Sequence, residues 1–231
     1  MQKQLLDHGY VKFVESWGSD ERIIESARMS TDGAFRGWGT PEAPGDEKLL
    51  CYLYSHKHDS PFEFAGMVIE VQAPIFVFRE WQRHRTQSFN EMSGRYTELP
   101  NLAYVPSVER LMLRDKSNKQ AGGVAGKRAP TEHAVLRSQD RIRVSNMRAQ
   151  GDYRDLLMSG VTKELARIVL PVGRYSRMRA SANLRNWLGF LTLRQAKEAQ
   201  WEIRQYADAV GEFIALSFPR TWELFSEKRA T

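Results

Sequence analysis

Over 231 residues, 42% are apolar, 11% aromatic and 27% charged, which excludes a disordered or collagen-like chain and suits one globular domain with its own core. Thirty-four Lys and Arg against 28 Asp and Glu leave a net charge of +6, and the Arg clusters in 83–95 and 167–194 point to defined anion sites, because a guanidinium fork binds phosphate or carboxylate bidentately. The one cysteine, Cys51, excludes an intrachain disulfide and a multi-cysteine zinc site.

The chain starts Met1-Gln-Lys-Gln-Leu-Leu-Asp-His, without the apolar stretch of a signal peptide. Runs such as Ile75–Phe78 and Ile168–Leu170 fall far short of the ~20 residues of a membrane span, so a cytoplasmic protein is expected. Helical spacing predicts short helices over 20–31 (Ile23, Ile24, Ala27) and 46–57 (Leu49, Leu50, Leu53, Tyr54), separated by a Gly- and Pro-rich loop at 32–45. Cys51 falls in the second helix with no Arg or His at i±3 or i±4, so it is expected to be a small buried hydrophobe. Alternation over 64–71 predicts a strand, punctuated by Ala73-Pro74. A helix follows from about Ile75 to His84 with Phe78 and Trp81 on one face, placing Arg83-His84-Arg85 at its C-terminus, where cations are welcome.

The segment 88–96 is polar and aperiodic and is expected to be a loop. A low-complexity patch at 115–130 is expected to be a flexible loop. Thr131 is placed to cap a helix reaching Leu157, with Gly151 and Gly160 as breaks, and Thr162–Leu170 looks like a capped helix halted by Pro171. Tyr175–Ala182 alternates as a strand, with Met178, Ala180 and Ala182 on one face. Asn183 caps a helix over 184–194, and a last helix over 195–217 carries a core stripe of Ile203, Tyr206, Ala207, Val210, Phe213 and Ile214 before Pro219.

Between Arg83 and Arg95 lie three Arg, a His, a Glu and two Ser. The Ser93 hydroxyl, the Gly94 amide and Arg95 have the makings of a small phosphate cup, glycine allowing close backbone approach. A nucleophilic role for Ser93 is the weaker reading, because no base is fixed beside it in the sequence. His56, His58, His84 and Glu63 are a poor metal set, since H-x-H lacks a clear third ligand. Aromatic neighbours of Arg, among them Trp81, Phe89, Trp187 and Phe190, also suit single-stranded nucleic acid, a reading that steep salt dependence in a colourless protein would favour.

Arg83-His84-Arg85 followed after seven residues by Ser93 resembles the R-H-R-x7-S signature of the flavin-dependent thymidylate synthases, and Asn90-Glu91-x-Ser93-Gly94-Arg95-Tyr96 extends the match. Ala27-Arg-Met-Ser30, His56-x-His58-x-Ser60-Pro-Phe-Glu63, Ala73-Pro-Ile-Phe, Glu164-Leu-Ala-Arg167 through Pro171, and Asn183-x-Arg185 through Leu193-Arg194 are similar too, so the likeness spans roughly residues 5–225. The resemblance implies an α+β fold with a mixed or antiparallel sheet flanked by helices, of the thymidylate synthase-complementing protein type. It implies reductive methylation of dUMP to dTMP, with 5,10-methylenetetrahydrofolate as carbon donor, NADPH as reductant and FAD as relay, and no metal. It also implies a homotetramer with active sites shared between subunits, leaving room for Arg95 and Arg83 to serve different sites, with no nucleic-acid or membrane partner.

Carried over by the same resemblance, Arg83, Glu91, Ser93, Gly94, Arg95, Arg167 and Arg194 bind dUMP. FAD falls to Ser30, Ser60, Glu63, Arg83, His84, Arg85, Glu91, Asn183 and Arg185. Arg194, against the uracil edge, and His58, beside the flavin, are the catalytic pair. Two positions depart from the common pattern. Glu80 stands where Gln often precedes the Arg-His-Arg, and because a carboxylate repels phosphate unless an Arg neutralises it, Glu80 is left out of the site. Gly189 stands where Asn or His often reaches the flavin, so that contact is lost or replaced; a flavin-binding homologue without turnover is the rival this favours.

Overall fold

The computed structural model describes residues 1–31, 33–40, 42–113 and 130–230. Five strands form an antiparallel sheet: β1 (Gln2–Leu5), β2 (Gly9–Trp17), β3 (Gly66–Pro74), β4 (Ser88–Glu91) and β5 (Tyr175–Asn183), in the order β1-β2-β3-β5-β4. The helices are α1 (Asp20–Arg28), α2 (Gly45–Ser55), α3 (Ile75–Trp81), α4 (Val108–Met112), α5 (Glu132–Met158), α6 (Lys163–Ala166), α7 (Leu184–Arg194), α8 (Trp201–Ser217) and α9 (Pro219–Ala230). The α+β class is as expected, and the antiparallel form of the sheet is the one realised. No helix of the described residues is long and apolar enough to cross a membrane.

Period-two alternation puts Met67, Ile69, Val71 and Ala73 of β3 with Met178, Ala180 and Ala182 of β5 on one buried face. Helices α3, α7 and α8 complete that core, and all six residues of the predicted α8 stripe are buried. Trp81 of α3 stacks on Phe190 of α7 with ring centroids 4.6 Å apart, and the Trp187 indole N–H donates to the Met67 carbonyl at 3.0 Å. Each such buried aromatic contributes about 1.5–3 kcal/mol and fixes α7 on the sheet.

Two helices grow directly out of strands, α3 from Pro74 and α7 from Asn183. Because Pro74 lies opposite Tyr175 and Gly66 opposite Asn183, they start at opposite ends of neighbouring strands and their C-terminal turns meet. Asn183 caps α7 as predicted, its Oδ1 accepting from the Asn186 amide at 3.0 Å.

Several expectations change. The hairpin β1–β2 was not anticipated, because Gln2–Leu5 is almost wholly exposed and lacks an apolar rhythm. Strand β3 runs on through Ala73-Pro74, and α3 ends at Trp81, so Arg83-His84-Arg85 occupies a turn beyond the Gln82 cap. Residues 88–91, expected in a loop, are a short edge strand paired from Ser88–Ser181 to Glu91–Met178. Gly151 lies inside an unbroken α5, which Thr131 caps, and Gly160 at φ +83° follows its end. The 162–170 helix is only the single turn α6 followed by a 3-10 turn, Arg167–Val169.

Helix α8 starts at Trp201, later than expected, and Pro219 opens α9 instead of ending the chain's helices, because proline suits a first helical turn. The orphan donors of that turn are met by buried Asp20, which accepts from the Arg220 amide at 2.9 Å and from the Thr221 amide and hydroxyl at 3.2 and 2.6 Å. The expected loop at 115–130 lies outside the described residues apart from Pro130.

Cys51 is exposed, its Sγ 3.9 Å from the Ser55 hydroxyl, because α2 turns its Leu50–Leu53 side to the core and Cys51 away from it. Replacing it with Ala is therefore expected to change stability by less than about 0.5 kcal/mol, the range of surface substitutions. A denaturant midpoint displaced by more than that would show that the thiol packs against something.

Candidate active site

The turn carrying Arg83-His84-Arg85 is held from both sides. The His84 amide donates to the Trp81 carbonyl at 3.0 Å, the Gln87 amide to the His84 carbonyl at 3.2 Å, and the Trp81 indole N–H to Gln87 Oε1 at 3.0 Å. From α7, Asn186 Nδ2 donates to the Thr86 carbonyl at 3.1 Å. The triplet is thus a fixed turn, with His84 half-buried against Phe190 at 5.0 Å and Arg83 and Arg85 exposed.

Arg194 closes the space where α3 and α7 meet. Its Nε–H donates to His84 Nε2 at 2.9 Å, NH1 to Glu80 Oε2 at 2.6 Å and NH2 to the Glu80 carbonyl oxygen at 2.7 Å. Since His84 Nε2 accepts, the ring proton sits on Nδ1. Burial first, and the Arg194 charge second, lower the His84 imidazole from its usual 6.5 to about 4. Glu80, left out of the site on the sequence because its carboxylate would repel a phosphate unless an Arg neutralised it, is in fact paired with such an arginine, Arg194. A cation between two helix C-termini is also favourable in itself.

A histidine whose folded pKa lies below its unfolded one binds fewer protons folded than unfolded between the two values. Stability then falls as pH drops from about 6.5 to about 4 and is unaffected above that window. Urea unfolding across this range is expected to show a steeper acid loss for the wild type than for His84→Gln; parallel profiles would exclude the assignment.

A cavity of about 360 Å³ lies beside this cluster, with His84, Thr86, Arg185, Asn186 and Gly189 on one side and Lys57 and Asp59 on another. Arg185 also pairs with Glu63 at 2.5 Å and Asp59 at 3.6 Å, so the predicted Ser60–Glu63 segment, a 3-10 turn, meets the predicted N-terminus of α7 here. Gly189 sits in the interior of α7, where glycine costs about 0.5–1 kcal/mol relative to alanine, yet an added Cβ would meet nothing within 4 Å. What stands at this position is open space over bare helix backbone. Gly189→Ala is expected to stabilise the protein by about that amount in a denaturant melt; destabilisation would mean the space is already filled.

A second cluster gathers around 93–95. The Arg95 amide donates to Ser93 Oγ at 3.3 Å, and the Ser93 carbonyl accepts from the Tyr96 and Thr97 amides, both at 3.1 Å, forming a compact turn. Gly94 is buried, and a Cβ there would stand 3.2 Å from Arg167 Cδ and 3.3 Å from Leu99 Cγ, so glycine lets this turn approach Arg167 without displacing either side chain. Glu164 bridges the two arginines: its carboxylate accepts from Arg95 Nε and its carbonyl from Arg167 Nε, both at 3.3 Å. With side chains more than half exposed, the Arg95–Glu164 pair contributes little to stability, so an incoming phosphate exchanges it at low cost.

The remaining predicted residues take intermediate places. Glu91 accepts from Gln82 Nε2 at 3.2 Å, next to Arg83. Ser30 donates to the Ala27 carbonyl at 3.1 Å beyond α1, and the His58 ring lies 5.6 Å from the Tyr52 ring. Neither lines the cavity beside His84. Within one chain, no hydrogen bond joins the Ser93–Arg95–Arg167 cluster to the Arg194–His84 cluster among the described residues. A further cavity of about 490 Å³, lined by His8, Asn101, Arg143, Asn146 and Arg154 among others, contains no predicted residue. Beyond Glu80, sequence reasoning missed Asn186, Gln82 and Glu164, whose signal is only their helical spacing from Asn183 and Arg167 or their place in the triplet's turn.

Residues 12–220 match the family described as thymidylate synthase complementing protein. The chain is 42% identical over 225 residues to a flavin-dependent thymidylate synthase of Thermus thermophilus, covering 96% of this chain and 77% of that one. It is 37% identical over 226 residues to one of Thermosipho africanus, covering 97% and 94%. Among solved structures, it is similar to a UMP/dUMP methylase, PolB of Streptomyces cacaoi, bound with 5-Br dUMP, at 34% identity and a TM-score of 0.81 over 97% of each chain.

Proposed function

The chain belongs to the flavin-dependent thymidylate synthase family, and from that premise we propose how its residues divide the methylation of dUMP to dTMP. The enzyme is an FAD-dependent methyltransferase, with 5,10-methylenetetrahydrofolate giving the carbon and NADPH the electrons. The observation that carries the assignment of roles is Arg194, partly buried where two helix ends meet, beside a neutral histidine and an open cavity.

Ser93, Gly94, Arg95 and Arg167 hold the nucleotide phosphate: the turn offers a hydroxyl and backbone amides, and the two guanidinium groups supply charge. Arg83 and Glu91 line the same pocket. Arg194 faces the uracil edge and stabilises negative charge developing at N3 or O2 during carbon transfer, its direction set before substrate arrives.

The cavity beside His84 suits FAD. Its wall at Gly189 is bare backbone that a flat ring can approach, Asn186 and His84 are polar lining, and Arg185 and Lys57 bring to its wall the charge a pyrophosphate needs, with exposed Arg83 and Arg85 flanking His84 in the chain. When bound, FAD relays hydride between NADPH and the nucleotide. Ser30, Ser60, Glu63, Glu91 and Asn183 complete its contacts, Asn183 through Nδ2 because Oδ1 already caps α7. His84 keeps its Nδ1 proton as a donor throughout the neutral pH range, and His58 stands beside the flavin.

No hydrogen bond joins the two clusters within one chain among the described residues, and a homotetramer in which the phosphate cluster of one subunit completes a neighbour's site accounts for that. Met147, Met158, Leu165 and Ile168, all more than half exposed on α5, α6 and the turn after them, offer an apolar surface for such contacts. In this reading the whole chain acts as one domain in the cytoplasm.

Purified protein is expected to take up FAD, with absorption near ~370 and ~450 nm, and to form dTMP from dUMP, methylenetetrahydrofolate and NADPH; UMP is assayed alongside. A protein that cannot be reconstituted with flavin, or that methylates UMP and not dUMP, overturns the reading. Cys51→Ala retaining turnover would show that no cysteine nucleophile is involved.

A further inference from the structure

We propose that Glu80 is the positioning residue for Arg194, an inference that rests on the role given to Arg194 above. A guanidinium carries five N–H donors in one plane. Three are taken, by His84 Nε2, Glu80 Oε2 and the Glu80 carbonyl oxygen. The second hydrogens of NH1 and NH2 are left, and their direction is determined once the plane is held at three points. Of the three holds, one is the backbone carbonyl of Glu80 and one is the half-buried His84 ring, packed against Phe190. The carboxylate is the one that stands on a partly exposed side chain.

A purely structural role for Glu80 fits less well. Its side chain is 43% exposed whereas that of Arg194 is 15% exposed, and an ion pair with so open a carboxylate contributes little to folding. The Arg194–Glu80 carbonyl bond already satisfies the end of α3 without the carboxylate. What the carboxylate adds is aim: without it, NH1 loses its anchor and the guanidinium turns about its remaining contacts. It also balances the Arg194 charge beside the cavity, so that binding of the anionic substrate rests on Arg95 and Arg167 while Arg194 acts on the ring.

The test compares Glu80→Ala, Glu80→Gln, Arg194→Ala and the double variant Glu80→Ala/Arg194→Ala, each checked for FAD content and thermal melting. Glu80→Ala is expected to lower kcat on the order of 10- to 100-fold, the usual effect of removing a group that orients a reacting one, with KM for dUMP within about threefold. Glu80→Gln, which keeps an oxygen to accept from NH1, is expected to recover most of the loss. In the Arg194→Ala background the Glu80 substitution is expected to add nothing, because the two act as a unit. Wild-type turnover in Glu80→Ala, a loss confined to KM, or an equal further loss in the Arg194→Ala background overturns the proposal. Should Glu80→Ala fail to fold, the same comparison is read from Glu80→Gln and Glu80→Asp: Asp, one methylene short of NH1, must lose more kcat than Gln, and the reverse order overturns it. Full turnover in Arg194→Ala instead overturns the role of Arg194 on which this rests, whereas its collapse beside an active Glu80→Ala refutes the Glu80 assignment alone.

Discussion

Arg194→Ala is expected to abolish nearly all turnover while leaving dUMP binding largely intact. The guanidinium is partly buried, held by three hydrogen bonds and half-neutralised by Glu80, so it offers the ground-state nucleotide little net charge. Its contribution grows as electrons shift onto the pyrimidine in the transition state, and losing such a donor raises the barrier by about 2–4 kcal/mol, or roughly 10²- to 10³-fold in kcat. Steady-state kinetics with dUMP varied, together with direct titration of the nucleotide, separate the two quantities. Equal losses in kcat/KM and in binding affinity would place Arg194 in uniform binding and refute its role.

Arg95→Ala is expected to behave in the opposite way. Its guanidinium is exposed, its bond to Glu164 is long at 3.3 Å, and it stands on the turn that Gly94 brings against Arg167. A charge-assisted bond to phosphate contributes about 1.5–3 kcal/mol, so dUMP is expected to bind roughly 10- to 100-fold more weakly at little cost in kcat. Glu164, released from its partner, is exposed and needs no replacement. A kcat loss as large as that of Arg194→Ala would mean that the cluster at 93–95 acts on chemistry. If sites are shared between subunits, mixing the two variants after dissociation and assaying at low dUMP, where neither alone turns over well, is expected to restore part of the activity, since some reassembled sites draw Arg95 and Arg194 from unaltered halves; no recovery on verified reassembly would place both on one chain.

What could be foretold from the chain alone was local or carried by motif. Asn183 followed by an amphipathic run predicts α7 with its cap, because capping needs only residues within one turn. The alternation in β3 and β5 and the 3.6-residue stripe of α8 predict their buried faces, since periodicity records which side meets the core. The Arg-His-Arg and Ser93 signature, with the segments around it, was enough to point to the family. Tertiary structure decided what depends on distant partners. Ser88–Glu91 becomes a strand only because β5 offers an unpaired edge, and β1 only because β2 does. Cys51 is exposed because the orientation of α2, and not the apolarity of its neighbours, determines which side is covered.

Glu80 shows most clearly where local reading stops. As a residue near a phosphate motif it is a repulsive charge; 114 positions later in the chain lies the arginine that neutralises it, delivered by two strands whose antiparallel register makes α3 and α7 end against each other. Spacing along a chain identifies which groups can do chemistry, while the approach of chain ends, strand edges and helix termini determines which of them can act on the same molecule.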